Sequence, residues 1–499
     1  MGDSTSAKGS LGVWSRRGFL TAANSLLAAT ALGPAASAKA ATPTAVYPGR
    51  YVTQQDADYE RWRTAMPWQL YKAPRYPEQI VRPNHRDEVA EIVRIAARDQ
   101  QRIAVKSGGH NVSEAFLRDG GLLLDLGELQ ELTVADDKNT VWVEPSLWSY
   151  SLLQGLAEHQ RAFPVSHCAT VPMGGFLLGG GIGYNHDNWG GIGCHNIVAA
   201  EVVTATGNKI TLSPEEHPEL FWALRGGGMG FPAVVTRLKL QLYSAPLSVM
   251  ETAAIFPVGD LQTAVTVLSD WAALEPADTE LMMLIAHNPA AGEQTPPSAT
   301  KMAIVRAVTY AASEAESLKT LGELMAHPAI SKALMTLPAK STSLEQMSIE
   351  SVNPAMGLGF GRYAVDTVWT DELSSMTATL QARILAAPSP KTHFVISPKL
   401  NKTLSTDAVF SMVGDTFVGA YTVWDDADDD AANFDWLATT RQGLAERALG
   451  QYVNEVDAFL DPSATARCFS SEAWQRLAGI RGRYDPAGIF HGWPQSASA

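Results

Sequence analysis

Two glycine-rich stretches decide the fold of this chain: KSGGHN, Lys106–Asn111, and SHCATVPMGGFLLGGGIGYN, Ser166–Asn185. The first places His110 directly after two glycines, and the second places Cys168 shortly before a dense glycine run. Glycine allows a backbone to approach a ligand closely, and an adjacent histidine or cysteine can react with that ligand. Both stretches therefore predict backbone that contacts a ligand, with His110 and Cys168 as candidate reactive side chains.

The glycine spacing excludes two common nucleotide-binding loops. Gly174–Gly183, GGFLLGGGIG, lacks the GxxxxGK[ST] pattern of a phosphate loop and the GxGxxG pattern between a strand and a helix. A further run, LFWALRGGGMGF at Leu220–Phe231, repeats the glycine enrichment. Two such runs predict extended backbone contact with a long ligand, such as a dinucleotide pyrophosphate held by amides. Glycines that serve only as turns are the alternative.

Length and composition indicate a soluble protein of several domains. The chain has 499 residues, which is too long for one ordinary core, so two or more domains are expected. Hydrophobic residues make up 46% and charged residues 18%, as in globular proteins. The net charge of −14 argues against nucleic acid or an anionic membrane as a partner, because both attract an excess of Lys and Arg.

Residues 1–40 predict an export signal. Arg16 and Arg17 precede a short alanine-rich apolar run, which ends in small residues around Ala38. This order is typical of a cleaved signal rather than a membrane span, and Ser-Arg-Arg-Gly-Phe-Leu resembles the twin-arginine consensus. A disordered tail with a chance Arg-Arg pair is the alternative. Without residues 1–40 the net charge is −17.

Cysteine usage excludes a disulfide scaffold. Exported proteins can form disulfides, but the chain contains only Cys168, Cys194 and Cys468. These residues can form at most one disulfide, which leaves one thiol over.

Residues up to about 245 predict a small α+β region. Apolar runs, helical spacing and turn residues are the basis for each element. The predicted elements are a strand at Ile80-Val81, a helix from Val89 to Ala96, strands at Ile103–Val105 and Leu122–Leu126, a strand pair around Asp136-Asp137, a helix near Tyr150–His159 and a hairpin turning at Thr206–Asn208.

From about Pro246 the glycine content falls and longer helical stretches alternate with strands. DLQTAVTVLSDWAALE and SEAESLKTLGELMAHPAISKALMT predict helices, whereas ELMMLIAH, KMAIVRAVTYAA, GRYAVDTVWT and AVFSMVGDTFVGAYTVW predict strands. A sheet covered by helices on one face is expected. The acidic run Asp425–Asp430 predicts a helix start rather than a calcium site, because it lacks the spacing of an EF-hand loop.

Six motifs, in their order, resemble one family. The chain is similar to FAD-linked oxidases of the vanillyl-alcohol-oxidase fold, and among them to the berberine-bridge-enzyme-like branch. The motifs are VRPNHRDEVAEIVRIAARDQQRIAVKSGGHN, LLLDLGELQEL, SHCATVPMGGFLLGGGIGYN, AAEVVTATGNKITLS, PELFWALRGGGMGFPAVVTRLKL and YDPAGIFHG. The resemblance covers most of residues 75–245 and about 450–499. In residues 246–449 only the general alternation of helical and strand-like stretches is similar.

The resemblance implies an α+β fold with two domains. Residues 1–40 are then the twin-arginine export signal, and residues 41–245 a PCMH-type FAD-binding domain. Residues 246–449 are the substrate-binding domain, an antiparallel sheet covered by helices, and residues 450–499 return to the FAD-binding domain.

The resemblance also implies covalently bound FAD and no metal. In this branch the histidine of S-G-G-H bonds to the 8α-methyl of the flavin, which corresponds to His110, and imidazole is a suitable nucleophile. Cys168 corresponds to the cysteine that bonds to flavin C6; a free buried thiol and a disulfide to Cys194 are the alternatives. The implied cofactor-binding residues are His110, Cys168, Lys106, Ser107, Gly108, Gly109, Asn111, Val171, Gly174, Gly175, Gly179, Gly180, Gly181, Gly183 and Val234.

The chain departs from the family pattern at several positions. Phe176 stands where the cysteine motif usually ends in histidine, and Asp187 stands in the region where an arginine is usual. GFPAVV, with Pro232 and Ala233, replaces the common N-F-G-V-V. Val171 occupies the position at which the family controls oxygen access, and a small residue there favours an oxidase over a dehydrogenase.

Catalytic residues are expected on the substrate-domain sheet and in a motif like Y-x-N-Y just after it. QYVNEVD places Tyr452, Asn454 and Glu455 there, with Glu455 in place of the second tyrosine. A carboxylate suits a base that removes a substrate proton, or a group that binds a basic substrate. Tyr363 is the fourth catalytic candidate. Asp366, Trp369 and Tyr421 are further candidates, and packing is the alternative role for each strand residue.

The sequence therefore predicts an exported FAD-dependent oxidase, periplasmic or extracellular. Hydride passes from an alcohol or other hydroxyl-bearing small molecule (a sugar, phenolic or secondary metabolite) to flavin N5, and O2 reoxidises the flavin to give H2O2. The alternatives are a dehydrogenase with another acceptor, an amine or alkaloid oxidase, and a flavoprotein without turnover. The expected partners are the substrate, O2 and the twin-arginine export machinery, without nucleic acid and without a membrane span in the mature chain.

Overall fold

The computed structural model describes residues 47–65, 69–288, 300–351, 361–398 and 407–494, so the predicted export signal lies outside the described residues. Within these ranges no helix has the length and apolar content of a membrane span. The strands are β1 (Arg50–Thr53), β2 (Gln79–Arg82), β3 (Ile103–Lys106), β4 (Leu122–Asp125), β5 (Leu132–Val134), β6 (Thr140–Val143), β7 (Arg161–Ala162), β8 (Ile197–Thr204), β9 (Lys209–Leu212), β10 (Ala233–Gln241), β11 (Tyr243–Ser244), β12 (Ser248–Pro257), β13 (Thr279–His287), β14 (Lys301–Ala311), β15 (Met335–Ser341), β16 (Arg362–Thr370), β17 (His393–Pro398) and β18 (Thr416–Trp424). The α-helices are α1 (Tyr59–Arg63), α2 (Val89–Arg98), α3 (Ser149–Ala157), α4 (Met173–Leu178), α5 (Pro218–Leu224), α6 (Leu261–Ala273), α7 (Glu314–Met325), α8 (Leu344–Glu350), α9 (Leu373–Leu385), α10 (Asp430–Ala445), α11 (Ala464–Arg467) and α12 (Ser471–Tyr484).

The first half of the chain contains two main sheets. In the first, ordered β1-β2-β4-β3, β4 is parallel to both β2 and β3, and β1 is antiparallel to β2. Helix α2 connects β2 to β3 and buries its apolar side, as its 3.6-residue spacing predicts. The KSGGHN stretch begins with the last residue of β3, so the sheet delivers the loop that carries His110.

The second sheet is antiparallel, in the order β5-β6-β10-β8-β9. The hairpin β8-β9 turns at Gly207, which has a φ of +75°, as the Thr206–Asn208 motif predicts. The second glycine stretch includes the short helix α4, which packs in the same core as this sheet.

Residues from β12 to β18 form a seven-stranded antiparallel sheet, in the order β15-β12-β14-β13-β17-β18-β16. Helices α6, α7, α9 and α10 cover one face, where Trp271, Trp424 and Trp436 are buried with alternate residues of the strands. The predicted sheet with helices on one face is therefore confirmed.

The opposite face of this sheet is shared with the first half of the chain. Tyr310, Trp369 and Phe417 belong to the core that contains the second sheet and α4. The C-terminal residues also return to the first half, because the Ile103 N–H donates to the Ile489 carbonyl at 2.7 Å and the His491 N–H donates to the Ile103 carbonyl at 2.8 Å. The domain boundaries themselves stay predictions.

One predicted helix is wrong in its second half. Helix α7 ends at Met325, and the following residues form a 3₁₀ turn at Pro328–Lys332 and then strand β15. Proline lacks a backbone N–H and disfavours a helical residue before it, so Pro328 ends the helix. The helical spacing of the following residues did not decide their structure, because β15 pairs with β12.

Candidate active site

His110 and Cys168 lie beside each other. The Sγ atom of Cys168 is 3.7 Å from Nε2 of His110, and Oγ1 of Thr170 is 3.1 Å from the same nitrogen. The two glycine stretches meet here, since a Cβ on Gly108 would overlap the ring of Pro172. Burial lowers the pKa of His110 to about 4, so its imidazole is neutral at neutral pH. The two reactive side chains predicted from separate stretches form one cluster.

The glycine run that follows α4 is held by the C-terminal segment. Tyr452 Oη accepts hydrogen bonds from the N–H groups of Gly181 at 2.9 Å and Ile182 at 3.2 Å. The Asn454 amide donates to the same oxygen at 3.1 Å. Gly181 has a φ of +95°, which favours glycine, and a Cβ on Gly179 would overlap the Asn454 side chain. Tyr452 and Asn454 therefore fix the path of the run.

Gly175 leaves open space beside the backbone of α4. It is exposed, and a Cβ added to it would have no other atom within 4 Å. Gly174, the preceding residue, is buried against Pro145. One side of this helical turn is thus packed and the other is free to accept a ligand.

The other predicted cofactor residues have mixed surroundings. Lys106 Nζ donates to Asp125 Oδ2 at 3.3 Å inside the first sheet, so its ammonium group is already paired. Asn111 Oδ1 accepts from the Ala115 N–H at 3.0 Å and orders the turn after His110. Val234 is buried in β10. The remaining predicted residues on the two loops are Ser107, Gly109, Val171, Gly180 and Gly183.

Glu455 is a partly buried carboxyl next to the seven-stranded sheet. The Tyr421 hydroxyl donates to its Oε2 at 2.7 Å, and the Tyr421 ring stacks on His393 with centroids 5.2 Å apart. Burial raises the pKa of Glu455 to about 7, although the hydrogen bond from Tyr421 lowers it. A carboxyl that changes protonation near neutral pH is suited to act as a general base.

Strand β16 and the glycine run hold Glu455 in place. Thr367 Oγ1 accepts from the Tyr452 N–H at 3.0 Å and donates to the Glu455 carbonyl at 3.3 Å. The adjacent Asn454 donates to the Phe176 carbonyl of α4 at 2.9 Å. The predicted Tyr452, Asn454 and Glu455 thus join the sheet to the glycine run.

The other strand candidates divide between the two faces of the sheet. Tyr363 shares a face with Tyr421, because it is two residues from Val365, which pairs with Tyr421. Asp366 lies on the helix-covered side, 3.5 Å from Arg441, and burial raises its pKa to about 6. Trp369 packs in the core against Phe417. Trp369 and the two tyrosines therefore lie on the face that carries the Glu455 pair, whereas Asp366 lies on the other face.

His167 and Glu280 were not predicted as functional residues. His167 Nε2 is 2.6 Å from Glu280 Oε1. His167 directly precedes Cys168, and this position is the signal that could have marked it. Glu280 lies on β13, 113 residues later, and carries no local signal.

Two alternatives for the cysteines and acidic residues are resolved. All three cysteines, each within the described residues, are free, so the disulfide between Cys168 and Cys194 is wrong. Cys194 is buried, which raises the pKa of its thiol to about 12. No cluster of three or more His, Cys, Asp or Glu residues in the described ranges could hold a metal. The run Asp425–Asp430 begins α10, as predicted, with Asp426 accepting from the Asp428 N–H at 3.0 Å.

FAD fits the residues of this site. Open space beside Gly175 lets a ligand approach the backbone of α4, and a neutral imidazole and a thiol lie together at His110 and Cys168. The C-terminal segment adds the partly buried carboxyl of Glu455. FAD would therefore be held by the glycine loops, with His110 and Cys168 beside it.

Comparisons with known proteins agree with this fit. Residues 77–213 match the FAD binding domain family. FAD-linked oxidoreductase janO of Penicillium janthinellum is 26% identical over 441 residues, which cover 87% of this chain and 95% of the relative. (R)-6-hydroxynicotine oxidase of Paenarthrobacter nicotinovorans is 33% identical over 210 residues, 42% of this chain and 44% of the relative.

A solved structure gives the same fold. The crystal structure of 6-hydroxy-D-nicotine oxidase from Arthrobacter nicotinovorans aligns with a TM-score of 0.78 at 20% identity, and covers 92% of this chain and 100% of that chain. This likeness covers 92% of the chain and so extends well beyond residues 77–213. The chain is an FAD-linked oxidoreductase with the vanillyl-alcohol-oxidase fold.

Proposed function

We propose that this enzyme is an FAD-dependent oxidase of a hydroxyl-bearing small molecule. The observation that carries the proposal is the Tyr421–Glu455 pair, 2.7 Å from hydroxyl to carboxyl oxygen, fixed to the glycine run through Asn454. A group with a pKa of about 7 can accept the hydroxyl proton of a substrate near neutral pH. The alcohol then loses one proton and one hydride and becomes a carbonyl compound.

In this mechanism Glu455 accepts the proton and Tyr421 orients the carboxylate. Ionised Glu455 keeps the hydrogen bond from Tyr421 on Oε2 and has Oε1 for the substrate hydroxyl. The stacked His393 ring restricts the rotation of Tyr421. FAD, when bound, would supply the hydride acceptor and would be reoxidised by O2, with H2O2 as the product. Val171, a small residue, supports access of O2.

We also propose two covalent bonds to the flavin, from His110 and Cys168. The supporting observation is the 3.7 Å contact between Nε2 and Sγ. Each bond replaces one N–H or S–H and one flavin C–H with an N–C or S–C bond. The two hydrogens that are removed leave with O2 as H2O2, so no further oxidant is required. The links retain the cofactor in an exported protein.

The open face of the substrate sheet favours a substrate with an apolar body. Leu284 pairs with Ile304 on β14 and with Val395 on β17. His393, two residues from Val395 on β17, pairs with Tyr421 on β18. The half-exposed apolar side chains of this face are Met282, Leu284, Met302, Ile304 and Val395. Such a surface buries rings or alkyl groups, so among the expected substrates a phenolic or other apolar alcohol fits better than a sugar.

An amine oxidase is the second candidate. Ionised Glu455 is a partly buried carboxylate, and it could pair with the ammonium group of an amine or alkaloid. The two candidates differ in the donor, while the hydride acceptor and its reoxidation are the same.

Anaerobic reduction followed by oxygen tests this function. The purified enzyme is mixed without O2 with aromatic alcohols, sugars and amines, and flavin bleaching is measured. Air is then admitted and H2O2 is assayed. We expect bleaching by apolar alcohols and rapid recovery of absorbance with H2O2. Reduced flavin that persists for minutes in air would contradict the oxidase and support a dehydrogenase. Bleaching only by amines would support the second candidate.

A further inference from the structure

Glu280 joins the substrate sheet to the loop that carries Cys168. Its carboxylate accepts three hydrogen bonds: from His167 Nε2 at 2.6 Å, from the Asn185 N–H at 3.0 Å and from the Tyr310 hydroxyl at 3.0 Å. His167 and Asn185 bracket the second glycine stretch, whereas Glu280 and Tyr310 lie on β13 and β14. One partly buried side chain therefore binds both ends of this stretch to the sheet.

The charge of Glu280 is stable. Burial alone would raise its pKa, but His167 and the Asn185 N–H outweigh burial and hold the pKa at about 2. The carboxylate is consequently ionised throughout the neutral range and always accepts these hydrogen bonds. Arg306 and His186 also interact electrostatically with Glu280, and Tyr184 and Tyr310 face it.

His167 is held from a second side by Tyr184. The two rings pack edge to face with centroids 4.5 Å apart, and the Tyr184 hydroxyl donates to the His167 carbonyl at 3.1 Å. The turn around His167 belongs to neither a helix nor a strand. The Cys168 carbonyl accepts from the Val171 N–H at 3.3 Å, and the Cys168 N–H donates to Ser166 Oγ at 3.3 Å. Both bonds are long, so the side-chain contacts of His167 add to them in placing Cys168.

We propose that the Glu280–His167 pair positions Cys168 for its bond to the flavin. The pair anchors the turn to the substrate sheet and keeps Sγ of Cys168 beside His110. His167 and Glu280 are positioning residues, since they act through Cys168. This inference rests on the proposed function, which includes the sulfur bond to flavin C6. In that step S–H and C6–H are replaced by S–C6, and O2 takes the two hydrogens as H2O2.

Three variants test whether the hydrogen bond between His167 and Glu280 positions Cys168. His167→Leu removes the donor to Glu280. His167→Gln keeps an N–H that can donate to Glu280, and Glu280→Gln removes the charge while it keeps one acceptor oxygen. A matched control is Asp270→Asn, which alters another histidine–carboxylate pair: His327 Nε2 lies 3.0 Å from Oδ2 of Asp270, whose side chain is exposed at the surface of α6.

The experiment measures flavin on each peptide. Wild-type and variant holoenzymes are incubated in air, denatured and digested, and the masses of the peptides with His110 and Cys168 are followed over time. We expect the sulfur bond to form about 100-fold more slowly in His167→Leu, because a displacement of about 1 Å at a reacting atom has that effect. His167→Gln should recover most of the rate. The His110 bond and the Asp270→Asn control should match wild type.

The outcomes distinguish the inference from the function it rests on. A wild-type enzyme without flavin on Cys168 would reject both the sulfur bond and the positioning role. A wild-type enzyme with that bond, and His167→Leu with the same rate, would reject only the positioning role. Where His167→Leu does not fold, Glu280→Gln decides, and an unchanged rate in that variant overturns the inference.

Discussion

Glu455 and Glu280 have opposite protonation behaviour although both are partly buried near the same sheet. Glu455 has a hydrogen bond from Tyr421, and burial raises its pKa to about 7. Glu280 has three hydrogen bonds, and His167 contributes to holding its pKa at about 2. Two carboxylates with separated pKa values can take different roles. Glu455 can accept and release a proton, whereas Glu280 stays charged and anchors the protein.

Glu455→Gln tests the base. An amide cannot accept the substrate proton, so we expect flavin reduction to slow by about 10²- to 10⁴-fold, the usual contribution of general base catalysis. Stopped-flow absorbance under anaerobic conditions measures this rate. Flavin content should be unchanged. A reduction rate within about threefold of wild type would exclude Glu455 as the base.

Tyr421→Phe tests the pH dependence that follows from the pair. Only ionised Glu455 accepts a proton, so the wild-type reduction rate should rise with pH through about 7 and then become constant. The hydrogen bond from Tyr421 lowers the pKa of Glu455, and its removal raises that pKa. The rising limb should therefore move to higher pH in Tyr421→Phe. A limb that does not move would show that another group controls the rate.

At the scale of elements, the glycine run depends on the segment that follows the sheet. Tyr452 offers its hydroxyl oxygen to the N–H groups of Gly181 and Ile182. Asn454 binds both this hydroxyl and the Phe176 carbonyl. Tyr452 was expected to be catalytic, but its hydroxyl oxygen accepts hydrogen bonds from two backbone N–H groups and from the Asn454 amide.

Tyr452→Phe should impair the glycine run more than the chemistry. Loss of the hydroxyl leaves buried N–H groups without their acceptor, which costs about 1–3 kcal/mol for an unsatisfied group. We expect a lower thermal midpoint and less bound flavin, while the flavin that is bound is reduced at a normal rate. Normal flavin content with a reduction rate lowered about 100-fold would instead indicate that Tyr452 takes part in catalysis.

Gly175→Leu tests the open side of α4. A Cβ at Gly175 has free space, so the variant should fold, but the leucine side chain fills the cradle and should sharply reduce flavin content. Gly322→Leu, in exposed helix α7, is the matched control, because a Cβ there also meets no atom within 4 Å. Flavin absorbance per protein gives the result. Full flavin content in Gly175→Leu would place the cofactor elsewhere.

Asp125→Asn tests the ionic centre of the first sheet. Asp125 is buried and contacts Arg82 at 2.6 Å and Lys106 at 3.3 Å. Removal of its charge leaves two cations unpaired, and we expect a loss of about 3 kcal/mol in the free energy of unfolding. Urea titration measures the loss. Glu128→Gln is the control, since its pair with Arg50 is about half exposed and should contribute at most about 1 kcal/mol.

At the scale of the whole molecule, the seven-stranded sheet carries both the proposed base pair and the proposed substrate surface. Its helix-covered face forms a separate core, and its other face carries the Glu455 pair and half-exposed apolar side chains. The proposed cofactor contacts come from the first half of the chain, whereas the proposed substrate surface comes from the second. This division allows substrate preference to change without a change in the cofactor loops.

The predicted export signal is testable on the whole chain. We propose that residues 1–40 direct export, and that Arg16→Lys with Arg17→Lys prevents it, because lysine keeps the charge but removes the twin-arginine consensus. Fractionation of the producing cells, followed by immunodetection, measures the location. Lys39→Arg is the control outside the motif and should be exported. Export of the double lysine variant would contradict the signal.

The sequence by itself determined the local elements and the reactive cluster. Helix α2, strand β3 and the β8-β9 hairpin follow from apolar spacing and turn residues, which act over a few positions. The glycine stretches and their order indicated the FAD-binding fold and marked His110 and Cys168 as the two candidate reactive residues. Each of these features depends on neighbouring residues or on a known motif. It can therefore be recognised without knowing which distant residues it contacts.

Only the tertiary structure decided which distant side chains meet. The pairs Tyr421–Glu455 and His167–Glu280 join residues 34 and 113 positions apart. Strand β15 formed where helical spacing favoured a helix, because pairing with β12 outweighed the local preference. Burial raises the pKa of Glu455, whereas His167 and the Asn185 N–H outweigh burial at Glu280, and this difference in contacts separates the two pKa values. Burial and long-range pairing depend on how the whole chain packs, so they cannot be read from the order of residues along the chain.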